Sequence, residues 1–257
     1  MKVVILCGGH GTRLREETEL KPKPMVEIGD MPILWHIMKT YAYYGYNDFV
    51  LCLGYKANVI KDYFYNYEIL ANDFTIELGS KKLDIHLKHS ETGWKITLVD
   101  TGVDTMTGAR IKRVAGFIDS DEFMLTYGDG VTDLNINELL RFHRGHGKIG
   151  TVTGVTPPSR YGELLIKENQ VISFQEKPST NNNTISGGYF VFKRDFLDYL
   201  DDDENCVMEK APLEKLAIAG NLAVFQHKGF WQCMDTYRDY KYLTRLWNEG
   251  DPPWKLW

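Results

Sequence analysis

Short continuous apolar runs alternate with stretches in which apolar positions recur every three or four residues, and this rhythm fills the first 156 residues. Residues 3–7 (VVILC) form an unbroken apolar run, the pattern of a strand buried on both faces. Residues 48–53, 95–100, 123–127 and 151–156 read as further strands. Helical spacing covers residues 32–44, which open with Pro, residues 57–70, with Val59, Ile60, Tyr63, Phe64 and Tyr67 in phase, and residues 107–118 and 135–146. Strand and helix in alternation predict an α/β fold, a mostly parallel sheet with helices on both faces.

Residues 72–95 are polar and break the rhythm, which predicts a loop or small hairpin with a strand at 83–88. Beyond residue 157 strands dominate. Runs at 163–166 and 171–174 flank a turn, and a strand at 188–192 follows the Asn-rich loop 178–184. A helix at 208–219, a strand at 222–226 and a final helix at 237–248 complete the reading. No internal repeat is evident. The pattern predicts a single domain, residues 1–257, whose first 156 residues carry the α/β alternation and whose remainder adds a small β-rich lobe and a C-terminal helix.

Composition changes this picture little. The chain is 43% hydrophobic and 25% charged, ordinary for a globular protein. Its net charge of −5 argues against a nucleic-acid partner, which usually needs a basic face, but not against a small anion held by local cations. The apolar start is only a few residues long and meets Gly8-Gly9, unlike a signal peptide, and no run of about 18 apolar residues predicts a membrane span. The four cysteines, Cys7, Cys52, Cys206 and Cys233, form no C-x-x-C pair and read as reduced core or surface thiols, so a reducing cytoplasm is expected. The aromatic tail at 247–257 (WNEGDPPWKLW) should bury against the body or against a neighbouring subunit, and the second outcome would make a homo-oligomer.

Three groups of residues carry candidate chemistry. The first strand runs into Gly8-Gly9-His10-Gly11-Thr12-Arg13, whose glycines allow backbone N–H groups to converge on an anion. The loop is neither a G-x-G-x-x-G fingerprint nor a P-loop, and alone it could be just a tight turn. Arg13 adds a planar fork suited to phosphate oxygens. In Lys21-Pro22-Lys23-Pro24-Met25 the prolines stiffen a segment that could fix the Lys23 ammonium near a transferring phosphoryl group, although an exposed charged loop would read the same way. The second group is a pair of aspartates. Asp129 lies between Gly128 and Gly130 at the carboxyl end of a predicted strand, where open α/β sheets bind ligands. Asp235 ends the strand-like stretch 230–235. Two carboxylates from distant strands suit Mg²⁺, yet either could be a turn or N-cap residue, Asp235 especially, since a helix follows it. The third group is Glu176-Lys177-Pro178 and the Gly187-Gly188 pair, where Lys177 could bind an acceptor phosphate and Glu176 sugar hydroxyls; Glu-Lys-Pro is also a common surface tripeptide. The seven histidines show no metal spacing: His36 falls in an apolar helix and reads as structural, and His143 and His146 lack a zinc partner motif.

Taken in order, Gly8–Leu14 (GGHGTRL), Lys21–Met25 (KPKPM), Gly128-Asp129-Gly130 and Glu176-Lys177-Pro178 resemble the sugar-1-phosphate nucleotidylyltransferases over essentially the whole chain. Residues 32–39 (PILWHIMK), 126–131 (TYGDGV) and 229–236 (GFWQCMDT), with the stretch from Val99-Asp100-Thr101-Gly102 to Thr107-Gly108-Ala109-Arg110, are similar to the glucose-1-phosphate cytidylyltransferases within that family. The departures are small: Cys7 for the usual Ala, Ala109 where a second Gly is common, and Cys233 where Pro is frequent.

The resemblance implies a Rossmann-like sheet without NAD, and CTP and α-D-glucose 1-phosphate as substrates. It implies CDP-glucose and pyrophosphate as products and Mg²⁺ as the cofactor, with CDP-glucose feeding 3,6-dideoxyhexose synthesis for bacterial surface polysaccharides. Carried over by motif, Leu6, Cys7, Gly8, Gly9, His10, Gly11, Thr12, Arg13, Lys23, Thr105, Arg110 and Gly128 would hold the nucleotide, with Arg13 and Lys23 the catalytic cations. Asp129 and Asp235 would bind the metal. Glu176, Lys177 and Gly188 would lie in the sugar-phosphate half, residues 157–257. The same chemistry with UTP or dTTP, or with another phosphorylated acceptor, stays open. A nucleotide-binding relative without turnover fits less well with Lys23, Asp129 and Asp235 present together, and a Rossmann oxidoreductase fits poorly without its fingerprint.

Overall fold

The computed structural model describes residues 1–86, 89–157, 163–175 and 184–257. Seven strands form the central sheet: β1 (Lys2–Leu6), β2 (Asp48–Leu53), β3 (Lys95–Asp100), β4 (Glu122–Tyr127), β5 (Gly150–Val155), β6 (Ile185–Lys193) and β7 (Leu222–His227). Their order is β7-β5-β6-β4-β1-β2-β3. All neighbours pair in parallel except at β6, which runs antiparallel to both β4 and β5. The sequence pattern predicts parallel strands for the first 156 residues, and those five strands do run the same way. The reversed strand comes from the second half of the chain, which reaches back into the sheet to supply β6 and β7.

Period-two alternation divides the core between the two faces of the sheet. Val3, Ile5, Phe49, Leu51 and Leu53 pack on one face with the helix Ile33–Tyr43 and the C-terminal residues. Val4, Leu6, Val50 and Cys52 pack on the other with Ile111, Phe196 and Leu216. Strands this apolar throughout read as continuous runs because helices cover them on both sides.

Several boundaries moved for local reasons. The helix expected over 57–70 is two, Ala57–Tyr65 and Tyr67–Leu70, because Asn66 folds back to donate its amide N–H to the Asp62 carbonyl. The helix expected over 107–118 stops at Arg113 and ends in a 3₁₀ turn, Ala115–Phe117. The helix expected over 208–219 is Ala211–Ile218, with Pro212 in its first turn. The polar insertion is a hairpin, Asp73–Glu77 with Lys82–His86, and a second hairpin pairs Glu163–Lys167 with Gln170–Gln175.

The aromatic tail buries against its own body. Trp254 is fully buried, stacked on Phe230, and its indole N–H donates to His36 Nδ1 at 3.4 Å. The tail therefore no longer argues for a homo-oligomer. His36 is structural: it is buried, and its other ring nitrogen, Nε2, donates to the Ile28 carbonyl at 2.9 Å. No helix among the described residues is long and apolar enough to cross a membrane.

Candidate active site

The chain leaves β1, builds β2 and β3 outward on one side, then returns to place β4 on the other side of β1. Strand order therefore reverses between β1 and β4, and the loops that follow their carboxyl ends splay apart there, the position at which open α/β sheets bind ligands. A cleft of about 470 Å³ opens at that point. Every residue placed in the nucleotide half by resemblance lines it, from Leu6 to Arg13 with Lys23, Thr105, Arg110 and Gly128, and so do Asp129 and Asp235. Gly188 lines an adjoining cavity of about 250 Å³, which shares Arg13, Tyr127, Asp129 and Asp235 with the first. Glu176 and Lys177 lie outside the described residues.

The glycine loop is held by its carbonyls and leaves its N–H groups open. Gly8 offers its carbonyl to Tyr55 N–H and to the Arg110 guanidinium. The backbone N–H groups of Gly8, Gly9, His10 and Gly11 have no hydrogen-bond partner among the described residues, as an anion-binding turn requires. Gly8 must be glycine, because a Cβ there would lie 2.1 Å from Arg110. Gly11 adopts φ +65°, which also favours glycine.

Arg110 is a strut. It is 4% exposed, and its guanidinium donates to the carbonyls of Leu53, Gly102, Gly8 and Val103 and to Thr101 Oγ1 at 2.7–3.1 Å. Its fork ties the glycine loop to the 101–103 loop, so it shapes the cleft through backbone. Thr105, also buried, accepts a hydrogen bond from Arg113 at 2.7 Å. His10 Nε2 lies 3.2 Å from Asp104 Oδ1, a contact that joins the same two loops across the cleft mouth.

The two aspartates meet through a two-stranded ribbon. Gly130–Thr132 pairs antiparallel with Trp231–Cys233, and Met234 N–H donates to the Asp129 carbonyl at 2.8 Å. This zips Asp235 beside Asp129. Asp235 is free to face the cleft because Thr236, not Asp235, caps the helix Tyr237–Asn248, in a reciprocal capping box with Asp239.

Lys23 Nζ then lies 2.5 Å from Asp129 Oδ2 and 2.6 Å from Asp235 Oδ1, and Arg13 Nη1 lies 2.9 Å from the other Asp235 oxygen. Burial alone would lower Lys23 and raise Asp235. The pairing outweighs burial in both, so the Lys23 pKa is raised and the Asp235 pKa lowered. One cation already sits between oxygens of both carboxylates, so the donor set fits an octahedral divalent ion that completes its shell with phosphate oxygens and water. Among the described residues no group of three or more His, Cys, Asp or Glu side chains is placed to hold a metal ion, so these two carboxylates would need a phosphate ligand's help.

No thiol here is a nucleophile. Burial raises Cys7 well above the usual thiol range, and burial with the neighbouring Asp235 and Asp129 pushes Cys233 up to about 12.

The sequence reading missed Tyr127 and Trp231. Tyr127 lines both cavities, donates its hydroxyl to Glu209, and packs its ring where a Cβ on Gly188 would lie 2.6 Å away. Trp231 donates its indole N–H to the Gly187 carbonyl at 2.7 Å. Both lie inside the motifs TYGDGV and GFWQCMDT, where their neighbours Asp129 and Asp235 carry the sequence signal. No sequence signal pointed to Glu209, which also accepts from Thr107 at 2.6 Å.

A family model described as Nucleotidyl transferase matches residues 2–242. This chain belongs to the nucleotidyl transferase family. It is 52% identical to the glucose-1-phosphate cytidylyltransferase of Salmonella typhimurium and 45% identical to the probable glucose-1-phosphate cytidylyltransferase of Bacillus subtilis, in each case over 100% of both chains. In fold it is similar to HddC from Yersinia pseudotuberculosis, with a TM-score of 0.71 at 23% identity, covering 96% of this chain and 99% of that one.

Proposed function

We infer that this enzyme transfers CMP from CTP to α-D-glucose 1-phosphate, giving CDP-glucose and pyrophosphate. The observation that carries the reading is the convergence of Lys23, Asp129, Asp235 and Arg13 on one point beside an open anion-binding turn. Two full-length relatives carrying that activity in their names support the choice of substrates.

In this reading the triphosphate lies along residues 8–13, its oxygens accepting the open backbone N–H groups. A phosphate oxygen of the sugar phosphate forms a bond to the α-phosphorus, and the bond from that phosphorus to the pyrophosphate oxygen breaks. The nucleophile is already an anion, so no general base is required. What the protein must do is align two anions and balance their charge. Arg13, Tyr127, Asp129 and Asp235 border both cavities, so donor and acceptor meet between them. Lys23 reaches the α-phosphate from a backbone fixed by Pro22 and Pro24. Asp129 and Asp235 would hold Mg²⁺, which when bound adds positive charge to the phosphate oxygens. The sugar occupies the cavity at Gly188.

A homo-oligomer finds support in a different feature from the tail. In the hairpin Asp73–Glu77/Lys82–His86, Phe74 faces Ile85 and Ile76 faces Leu83 on one side, and Phe74, Ile76 and Leu83 are exposed. Light scattering would read it: a monomer removes this part of the proposal.

The substrate assignment is tested by pyrophosphate release with four nucleoside triphosphates crossed against a panel of sugar 1-phosphates. CTP with glucose 1-phosphate should give the highest kcat/KM. A higher value for UTP or dTTP, or for another sugar phosphate, would keep the chemistry and replace the substrates. No release from any pair would remove the activity.

A further inference from the structure

We propose that in the free enzyme Lys23 holds the position of the divalent cation, so that the metal enters only when a nucleotide draws Lys23 away. The inference rests on the reading of Asp129 and Asp235 as metal ligands. Lys23 Nζ touches one oxygen of each carboxylate, at 2.5 and 2.6 Å, and its side chain is only 11% exposed. Arg13 takes the second Asp235 oxygen at 2.9 Å. Two cationic side chains therefore balance two carboxylates, and the cluster is electrically complete without metal.

A free divalent ion would have to displace Lys23 into a space already facing Arg13, leaving two cationic side chains and a doubly charged ion to share two carboxylates. A triphosphate removes this difficulty, because its oxygens offer Lys23 and Arg13 new anionic partners. The cluster thus disfavours bare metal and accepts metal together with nucleotide.

The exchange needs little movement. The Lys23 backbone is fixed by Pro22 and Pro24 and by the bonds Met25 N–H to Pro22 O and Val26 N–H to Lys23 O, at 2.8 and 3.1 Å. A lysine on such a base moves its charged head by side-chain torsions alone, on a flexible four-carbon stem. The same ammonium then serves twice, pairing with the carboxylates in the free enzyme and with the α-phosphate in the complex.

The test is binding of Mn²⁺, a paramagnetic probe for the divalent site, to nucleotide-free enzyme, read by electron paramagnetic resonance. Lys23→Gln, and the shape-conserving Lys23→Met as a second variant, should bind Mn²⁺ at least ten-fold more tightly than the wild type. Mn²⁺ should raise the Tm of both variants and not that of the wild type, since only a site available in the native state adds stability. Adding Asp129→Asn to Lys23→Gln should abolish the gain. Equal Mn²⁺ affinity in wild type and Lys23 variants, with the Asp129 dependence intact, overturns the proposal and leaves the metal-ligand reading standing. Tight binding that ignores Asp129→Asn overturns the metal-ligand reading as well. Lys23 variants that bind no Mn²⁺ also overturn the proposal, because Lys23 would not then be what excludes the ion.

Discussion

Lys23 and Lys39 are both lysines buried to the same degree, each 11% exposed at the side chain, and both are paired with carboxylates. Their surroundings differ. Lys39 rises from the helix Ile33–Tyr43 to Glu91 and to Ser90 Oγ, beneath the rings of Trp35 and Trp94 at 5.2 and 6.0 Å. Glu91 is 6% exposed at its side chain. Burial pushes Glu91 up, but the ammonium outweighs it, and the carboxyl stays below its ordinary range. Glu91 also lies 3.3 Å from His89 Nδ1, and these contacts together pin residues 89–91 to the body. Lys23 instead faces two acids at the edge of an open cleft, with Arg13 competing for one of them. An ion pair walled in by aromatic rings is a fastener, whereas a lysine that bridges two acids beside a cavity can exchange partners.

Separate readouts should divide the two. Lys23→Ala should lower kcat by about 10²–10³, the scale for one lost electrostatic donor. Lys39→Ala should leave kcat nearly unchanged in the folded fraction and cost ~3 kcal/mol of stability, because it strands Glu91 in a buried site. Steady-state kinetics beside denaturant unfolding measures both, and a kcat loss in Lys39→Ala matching that in Lys23→Ala would erase the distinction.

Much of the fold, and the Lys23 side of this contrast, was legible in the sequence. The strand at 48–53 was readable to the residue, because a strand covered on both faces is an apolar run that ends where polar loops begin. Lys23 stood out between prolines and Asp129 between glycines, while Asp235 was marked only as the end of the strand-like stretch 230–235. What the sequence could not show was the ribbon between Gly130–Thr132 and Trp231–Cys233, since a three-residue strand has no detectable period and its partner lies far along the chain. Nor could it separate Arg110 as a ligand from Arg110 as a strut. That role depends on which backbone carbonyls surround the guanidinium, a property of tertiary structure alone.

A smaller effect tests the closed side of the molecule. As a neutral imidazole His36 donates Nε2–H to Ile28 and accepts from Trp254 at Nδ1. Burial lowers its pKa from 6.5 to about 4. The unfolded chain therefore takes up a proton that the folded chain refuses, and stability falls as pH drops below 6.5. Between pH 7 and pH 5 the His36 contribution to this loss is about 2 kcal/mol. His143, also lowered to about 4, acts in the same direction. His36→Gln should flatten the dependence of Tm on pH over that window, and an unchanged slope would remove His36 as its source.

The smallest effect sharpens the open side. Thr236→Ala removes the N-cap of the helix that follows Asp235 and should cost ~1 kcal/mol. If Asp235 is held in the cleft by the ribbon and not by the helix cap, the Mg²⁺ concentration for half-maximal activity should stay within two-fold of wild type. A large rise would show that the cap positions the carboxylate.

The central claim is that Lys23, Asp129 and Asp235 gather around one metal-bound triphosphate. A crystal structure with Mg²⁺ and a non-hydrolysable CTP analogue tests it most directly. One ion should touch both aspartates and the nucleotide, with Lys23 Nζ turned to the α-phosphate. An ion bound away from Asp129 and Asp235, or Lys23 still lodged between them in the complex, would contradict it.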